Sequence, residues 1–169
     1  KKKPDVDEVI KKLNERITAL EAEENTFEKI REILEKHNLK YLCDPDSNAV
    51  EIVFDGRPFR VQIILNEYRL ELKLIFPFAA QRASLAMIAL FMINFNKDKA
   101  FACMHLNPDN GEMSMKYSYF ISKTAGLDVD DFWVYMTSII MPAIEKEYVI
   151  LHCMSTGRVP DEYREYYKN

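Results

Sequence analysis

The sequence predicts an α+β protein, an antiparallel sheet with helices packed on it. The expected order is α-β(3-4)-α-β(2)-α, with an extra N-terminal helix. Three observations predict it. Residues 41–77 and 100–121 have hairpin character, a strongly apolar helical stretch at residues 79–94 lies between them, and helical periodicity returns at both ends. A chain of 169 residues that is 48% apolar fits one domain with a small appendage.

In the first helix Val6, Ile10, Leu13, Ile17 and Leu20 recur at alternating spacings of four and three, which sets them on one stripe. Asp5, Asp7 and Glu8 crowd its first turn, where the helix dipole favours negative charge. The stripe weakens at Glu24. Asn25 and Glu28 offer a pattern similar to a capping box for residues 26–37, with Phe27, Ile30, Ile33 and Leu34 directed inward and Asn38 as the stop. One long bent helix and two separate helices both satisfy this pattern.

The strands come next. Residues 41–43 form a short one, and the turn formers Asp44-Pro45-Asp46-Ser47-Asn48 separate it from residues 50–54. Asp55-Gly56 supplies the positive φ of a tight hairpin. Phe59, Val61, Ile63 and Leu65 then alternate with polar residues, Ile64 excepted. After a turn near Asn66-Glu67, Tyr68, Leu70, Leu72, Leu74 and Phe76 do the same. Such alternation gives one buried and one wetter face. Pro77, lacking an amide hydrogen, is expected to end the ladder.

Residues 79–94 carry Leu85, Met87, Ile88, Leu90, Phe91, Met92 and Ile93 almost all round the helix. Two covers are therefore expected, the sheet and either another helix or a second subunit. The second hairpin turns at Pro108-Asp109-Asn110-Gly111. On its strands Phe101 and Cys103 share a face, as do Met113, Met115, Tyr117 and Tyr119. Gly126, Asp128 and Asp131 announce a last helix bearing Phe132, Trp133, Met136, Ile139 and Ile140, which Pro142 kinks or restarts. The pattern resumes through Ile144, Tyr148 and Leu151. Residues 1–25 thus read as a helical extension, 26–157 as the α+β domain and 158–169 as a polar tail.

From Phe27 to Met154 this layout resembles the YbjN-type domain, whose fold is similar to that of type III secretion chaperones. The resemblance rests on Tyr41 before Asp44, on Val50-Glu51-Ile52-Val53-Phe54-Asp55-Gly56 running into Phe59-Arg60-Val61, and on Arg69-Leu70-Glu71-Leu72. It continues in Ile93-Asn94-Phe95-Asn96, the Asp109-Asn110-Gly111 turn, Met113-Ser114-Met115-Lys116 and Gly126-Leu127-Asp128. It implies an α+β module with a regulatory or chaperone-like binding role, commonly a homodimer. The stripe at residues 6–20 lies outside it.

No residue constellation reads as catalytic. The four glycines, Gly56, Gly111, Gly126 and Gly157, sit at turns or helix ends and form no nucleophile elbow, phosphate loop or dinucleotide fingerprint. Cys103, His105, His152 and Cys153 have zinc-ligand chemistry, but a strand pair and adjacent helix residues do not converge readily. A calcium loop starting at Asp109 fails, since Ser114 and Phe120 occupy its glycine and glutamate positions. Asp44, Asp46, Asp128, Asp130 and Asp131 have turn and capping work, and His37 suits a helix C-terminus. The expectation is no enzyme, no cofactor and no metal.

The formal charge of -4 argues against a nucleic-acid partner, and the Lys1-Lys2-Lys3 run reads as a solvated terminus. No apolar run, residues 83–95 being the longest candidate, spans a bilayer. With no secretory pattern and with three widely spaced cysteines, Cys43, Cys103 and Cys153, reduced thiols and a cytoplasmic location are expected.

Interaction is the stronger reading: a protein-binding module, a homodimer, with a protein partner and no membrane insertion. Its candidate contact residues are Val6, Ile10, Leu13, Ile17, Leu20, Leu90, Phe91 and Trp133. The stripe fits a partner helix or the domain's own sheet equally well. Eight methionines suit core filling or an adaptable surface. The alternative is a sensor that binds a small ligand between sheet and helix.

Overall fold

The computed structural model describes residues 6–43, 49–66, 68–97, 99–122 and 125–161. The Lys1-Lys2-Lys3 run, Asp5, the turn formers at 44–48, Glu67 and the tail beyond Asp161 lie outside the described residues.

Alternating side chains build the sheet row by row. Its strands are β1 (Lys40–Cys43), β2 (Ala49–Val53), β3 (Arg60–Asn66), β4 (Arg69–Ala79), β5 (Ala102–Leu106) and β6 (Glu112–Phe120). They lie in the order β1-β2-β3-β4-β6-β5, and every neighbouring pair is antiparallel. One row crosses the whole inner face: Tyr41, Ile52, Val61, Leu74, Met115 and Met104. Next to it run Val50, Ile63, Leu72 and Tyr117, all buried. The outer row is Leu42, Glu51, Gln62, Lys73, Lys116 and Cys103. Period-two patterning thus separates a dry face from a wet one.

Pro77 does not end β4. The strand continues to Ala79, and the register shifts between Ile75 and Ala79. The irregularity takes the proline out of the ladder, which its missing amide hydrogen would otherwise interrupt. Tyr68 is also displaced from the expected inner row; it sits exposed in the β3–β4 turn. Beyond the strand, the Ala80 amide donates to the Gly111 carbonyl at 2.8 Å. Gly111 has φ +73, and a Cβ built there would overlap the Ala80 carbonyl oxygen. Only glycine combines that backbone with that approach.

Helix α1 is one continuous element, Val6–Lys36. It ends at Asn38, φ 54, where the Asn38 amide donates to the Glu35 carbonyl and the Leu39 amide to the Leu34 carbonyl, each at 2.9 Å. This is the paired closure that a left-handed residue allows. A 3₁₀ turn, Arg82–Ser84, leads into α2, Leu85–Lys97. The helix therefore starts later than residue 79, because Ala79 is still strand. Helix α3, Val129–Tyr135, is capped by the Asp128 carboxylate, which accepts from the Asp131 amide at 3.0 Å.

Pro142 stands where the last helical stretch restarts. A π-helical turn, Met136–Ile140, joins α3 to α4, Met141–Ser155, with the proline in the first turn of α4. The Met141 amide donates five residues back, to the Met136 carbonyl. Widening the turn just before the proline accommodates its ring and its missing donor.

The helices cover the inner face. Phe132, Met136, Ile140, Ile144, Leu151 and Met154 from α3 to α4 join Ile30 and Leu34 of α1 and Ile88 and Met92 of α2 in one core. The six-stranded antiparallel sheet with its N-terminal helix is an α+β fold, as its patterning predicts.

Candidate interaction surface

The two halves of α1 have different surroundings. Its C-terminal half is anchored: Ile30, Ile33 and Leu34 are buried. The Tyr41 hydroxyl donates to Glu35 Oε1 at 2.6 Å, and that bond, more than burial, holds the phenol above its ordinary pKa. Just past the helix the His37 ring stacks on Trp133, centroids 3.7 Å apart and 8° from parallel. An exposed pair, Lys36 to Asp130 at 3.9 Å, adds little.

Among the described residues, the N-terminal half has no such cover. Ile10, Leu13, Ile17 and Leu20 are between 50% and 57% exposed, and Val9 flanks them. Charged contacts occupy the other side of the helix: Lys12 reaches Glu8 at 2.9 Å and Lys11 reaches Glu15 at 4.0 Å. Such i,i+4 pairs support an exposed helix by a few tenths of a kcal/mol each, about enough to favour it and too little to hold it rigid. Four exposed apolar side chains thus lie in line on a helix that, among the described residues, is anchored at its far end.

The remaining candidate residues do not join this stripe. The side chain of Val6 lies outside the described residues. Leu90 is exposed with Ile93 on a flank of α2 whose other side, Ile88, Phe91 and Met92, packs inward. Phe91 is 6% exposed and therefore works in the core, out of a partner's reach. Trp133 is half-buried under His37.

The middle of the sheet's open face carries paired charges. Arg60 meets Glu51 at 2.7 Å, and Lys116 meets Glu71 at 3.0 Å. A shallow depression of about 210 Å³ is lined by Glu51, Pro58, Phe59, Arg60, Gln62, Lys73, Ile75 and Pro77. At the β5 end of that face the exposed rings of Phe101 and Phe120 meet edge-on at 5.8 Å. The period-two pattern placed Phe101 beside Cys103 but did not bring in Phe120, since the contact depends on how β5 folds back on β6.

Asn96 is a further feature that periodicity missed. Its side chain accepts from the Met104 amide at 2.7 Å and donates to the Met104 carbonyl at 2.9 Å. One amide group thus occupies the middle of the free β5 edge as another strand would, which protects it from edge-to-edge pairing.

The chemistry-bearing residues are dispersed. Cys103 and His105 lie on the outer face of β5, whereas His152 and Cys153 end α4 on the inner side, with His152 edge-on to Phe78 at 5.0 Å. Among the described residues no group of three or more His, Cys, Asp or Glu side chains could hold a metal ion. Asp128 caps α3, and Asp131 accepts from the Tyr119 hydroxyl at 2.8 Å. Ser114 and Phe120 are residues of β6. No helix of the described residues is long and apolar enough to cross a membrane.

No family model matches the chain, and no curated protein matches it significantly. Among solved structures, the fold is similar to that of YbjN, a candidate transcription regulator from E. coli. The TM-score is 0.52 at 11% sequence identity, over 73% of this chain and 84% of that one. At that identity the likeness is one of fold: the chain has a YbjN-like α+β fold.

Proposed function

We propose that this protein is a non-catalytic protein-binding module, regulatory or chaperone-like, that works as a homodimer in the cytoplasm. The observation that carries the reading is the bare stripe Ile10, Leu13, Ile17 and Leu20 on a helix whose other half is locked into the core. A solved protein of the same fold has been given a candidate role in transcription regulation, which supports a regulatory binder. The secretion-chaperone resemblance of the sequence supports the same class. The mechanism is apolar capture along α1, with polar groups at the rim setting register.

Sedimentation of the purified chain over a wide concentration range tests it, together with affinity capture by the wild type and by an Ile10→Ser/Ile17→Ser variant. A dimer, or a partner held by the wild type and released by the variant, supports the reading. A monomer at every concentration that retains nothing contradicts it.

The depression beside Arg60 and Lys73 favours a second reading, a sensor for a small ligand, although it lies on the open face rather than between sheet and helix. A metabolite that raises the melting temperature would support that reading, because selective binding stabilises the folded state.

A further inference from the structure

We infer that the occupant of the α1 stripe is the α1 of a second copy of this chain, paired parallel and in register as a short two-stranded coiled coil. The inference rests on the binding-module reading and names the partner for the same surface. Spacings of four and three place Ile10 and Ile17 at the a positions of a heptad and Leu13 and Leu20 at its d positions. A β-branched residue at a with Leu at d is the combination that favours two parallel strands over three or four.

Charge supplies the second, independent argument. In this frame Arg16 falls at g and Glu21 at the following e. A parallel in-register pair brings each g beside the next e of its partner, so Arg16 of one copy faces Glu21 of the other, twice per dimer by symmetry. Val9 and Asn14 occupy the preceding g and e, a pairing without repulsion. Antiparallel packing sets g against g and e against e, and the opposite-charge contact is lost. Among the described residues neither Arg16 nor Glu21 has an ion-pair partner in its own chain, while Glu8, Lys11, Lys12 and Glu15 pair with one another on the far side of the helix. The frame also ends where it should: the next a position is Glu24, just before α1 turns to its own core at Thr26.

Sedimentation equilibrium on the full chain, with three variants, tests this. The wild type associates to twice its 19.9 kDa mass. Arg16→Glu and Glu21→Arg each weaken association by roughly tenfold, because two exposed pairs turn from attraction to repulsion, and the double variant R16E/E21R restores it. Leu13→Cys, at a d position, forms an intermolecular disulfide on mild oxidation, with the wild type as control for the native thiols.

A wild-type dimer indifferent to both charge reversals, or one that Leu13→Cys does not cross-link, overturns the parallel pairing and leaves the homodimer reading standing. A wild type that stays monomeric throughout overturns both.

Discussion

Two leucines of α1 lend themselves to a direct energetic comparison, because one helix carries both and only one is covered. Leu34 is fully buried and Leu13 is 55% exposed. Truncating Leu34 to Ala removes a buried isobutyl group from a filled core, which costs about 3 kcal/mol in transfer and cavity terms. Truncating Leu13 removes a side chain that is already half in water and leaves alanine, the best helix former, so the cost is about 0.5 kcal/mol or less. For a domain of this size each kcal/mol moves the melting temperature by roughly 2–4 °C, so Leu34→Ala falls by about 6–12 °C and Leu13→Ala by about 2 °C at most. Urea and thermal unfolding, followed by circular dichroism at the lowest practical concentration, reads both. Equal losses would refute the reasoning, because they would mean that Leu13 is sheltered inside its own subunit.

Three further outcomes rest on named contacts. Gly111→Ala places a Cβ against the Ala80 carbonyl at φ +73 and is expected to destabilise by about 2–4 kcal/mol; an unchanged melting temperature would contradict that close approach. Asn96→Ala uncovers the Met104 amide and carbonyl on the β5 edge, with an expected loss of about 1 kcal/mol and increased light scattering on standing; a variant as stable and as clear as the wild type would show that the edge needs no cover. Burial first, and then the Glu147 carboxylate, pushes the Tyr117 phenol well above its ordinary pKa. The neutral phenol therefore contributes its full stability below the unfolded value of about 10 and loses it as pH rises towards the folded value. Unfolding midpoints measured from pH 8 upward should fall steeply beyond about pH 10, and less so in Tyr117→Phe; identical profiles would contradict the assignment.

Local patterns and distant contacts were unequally legible in the chain. Strands β3 and β4 were plain, because Val61, Ile63, Leu65, Leu70, Leu72 and Leu74 alternate with polar residues and each inner side chain is buried. Strand order was not, since placing β6 rather than β5 beside β4 depends on contacts distant in sequence. Pro77 misled for a physical reason: a proline forbids one ladder bond, and a local register shift satisfies that rule without ending the strand. Pro142 was read correctly as a point of restart: a π turn precedes it and a new α-helix begins with the proline in its first turn.

The stripe on α1 was visible from its spacing alone, whereas its covering was not. Periodicity reports which residues share a face and says nothing of what meets it. Phe91 shows the limit from the other side. On a helix apolar nearly all round, which residue points inward is decided by the elements it packs on, and β5 and α4 select Phe91 while leaving Leu90 and Ile93 outside. The Asn96–Met104 bonds and the His37–Trp133 stack could not be read from spacing, because each is a contact between elements.

Amide hydrogen exchange along residues 10–20, compared between dilute and concentrated protein, probes the uncovered half of α1 most directly. Slow exchange that appears only on concentrating the sample, while residues 30–34 stay protected throughout, is the expected result. Protection of residues 10–20 that is identical at every dilution would mean that the helix is sheltered within its own chain; rapid exchange at every concentration would mean that no second chain covers it.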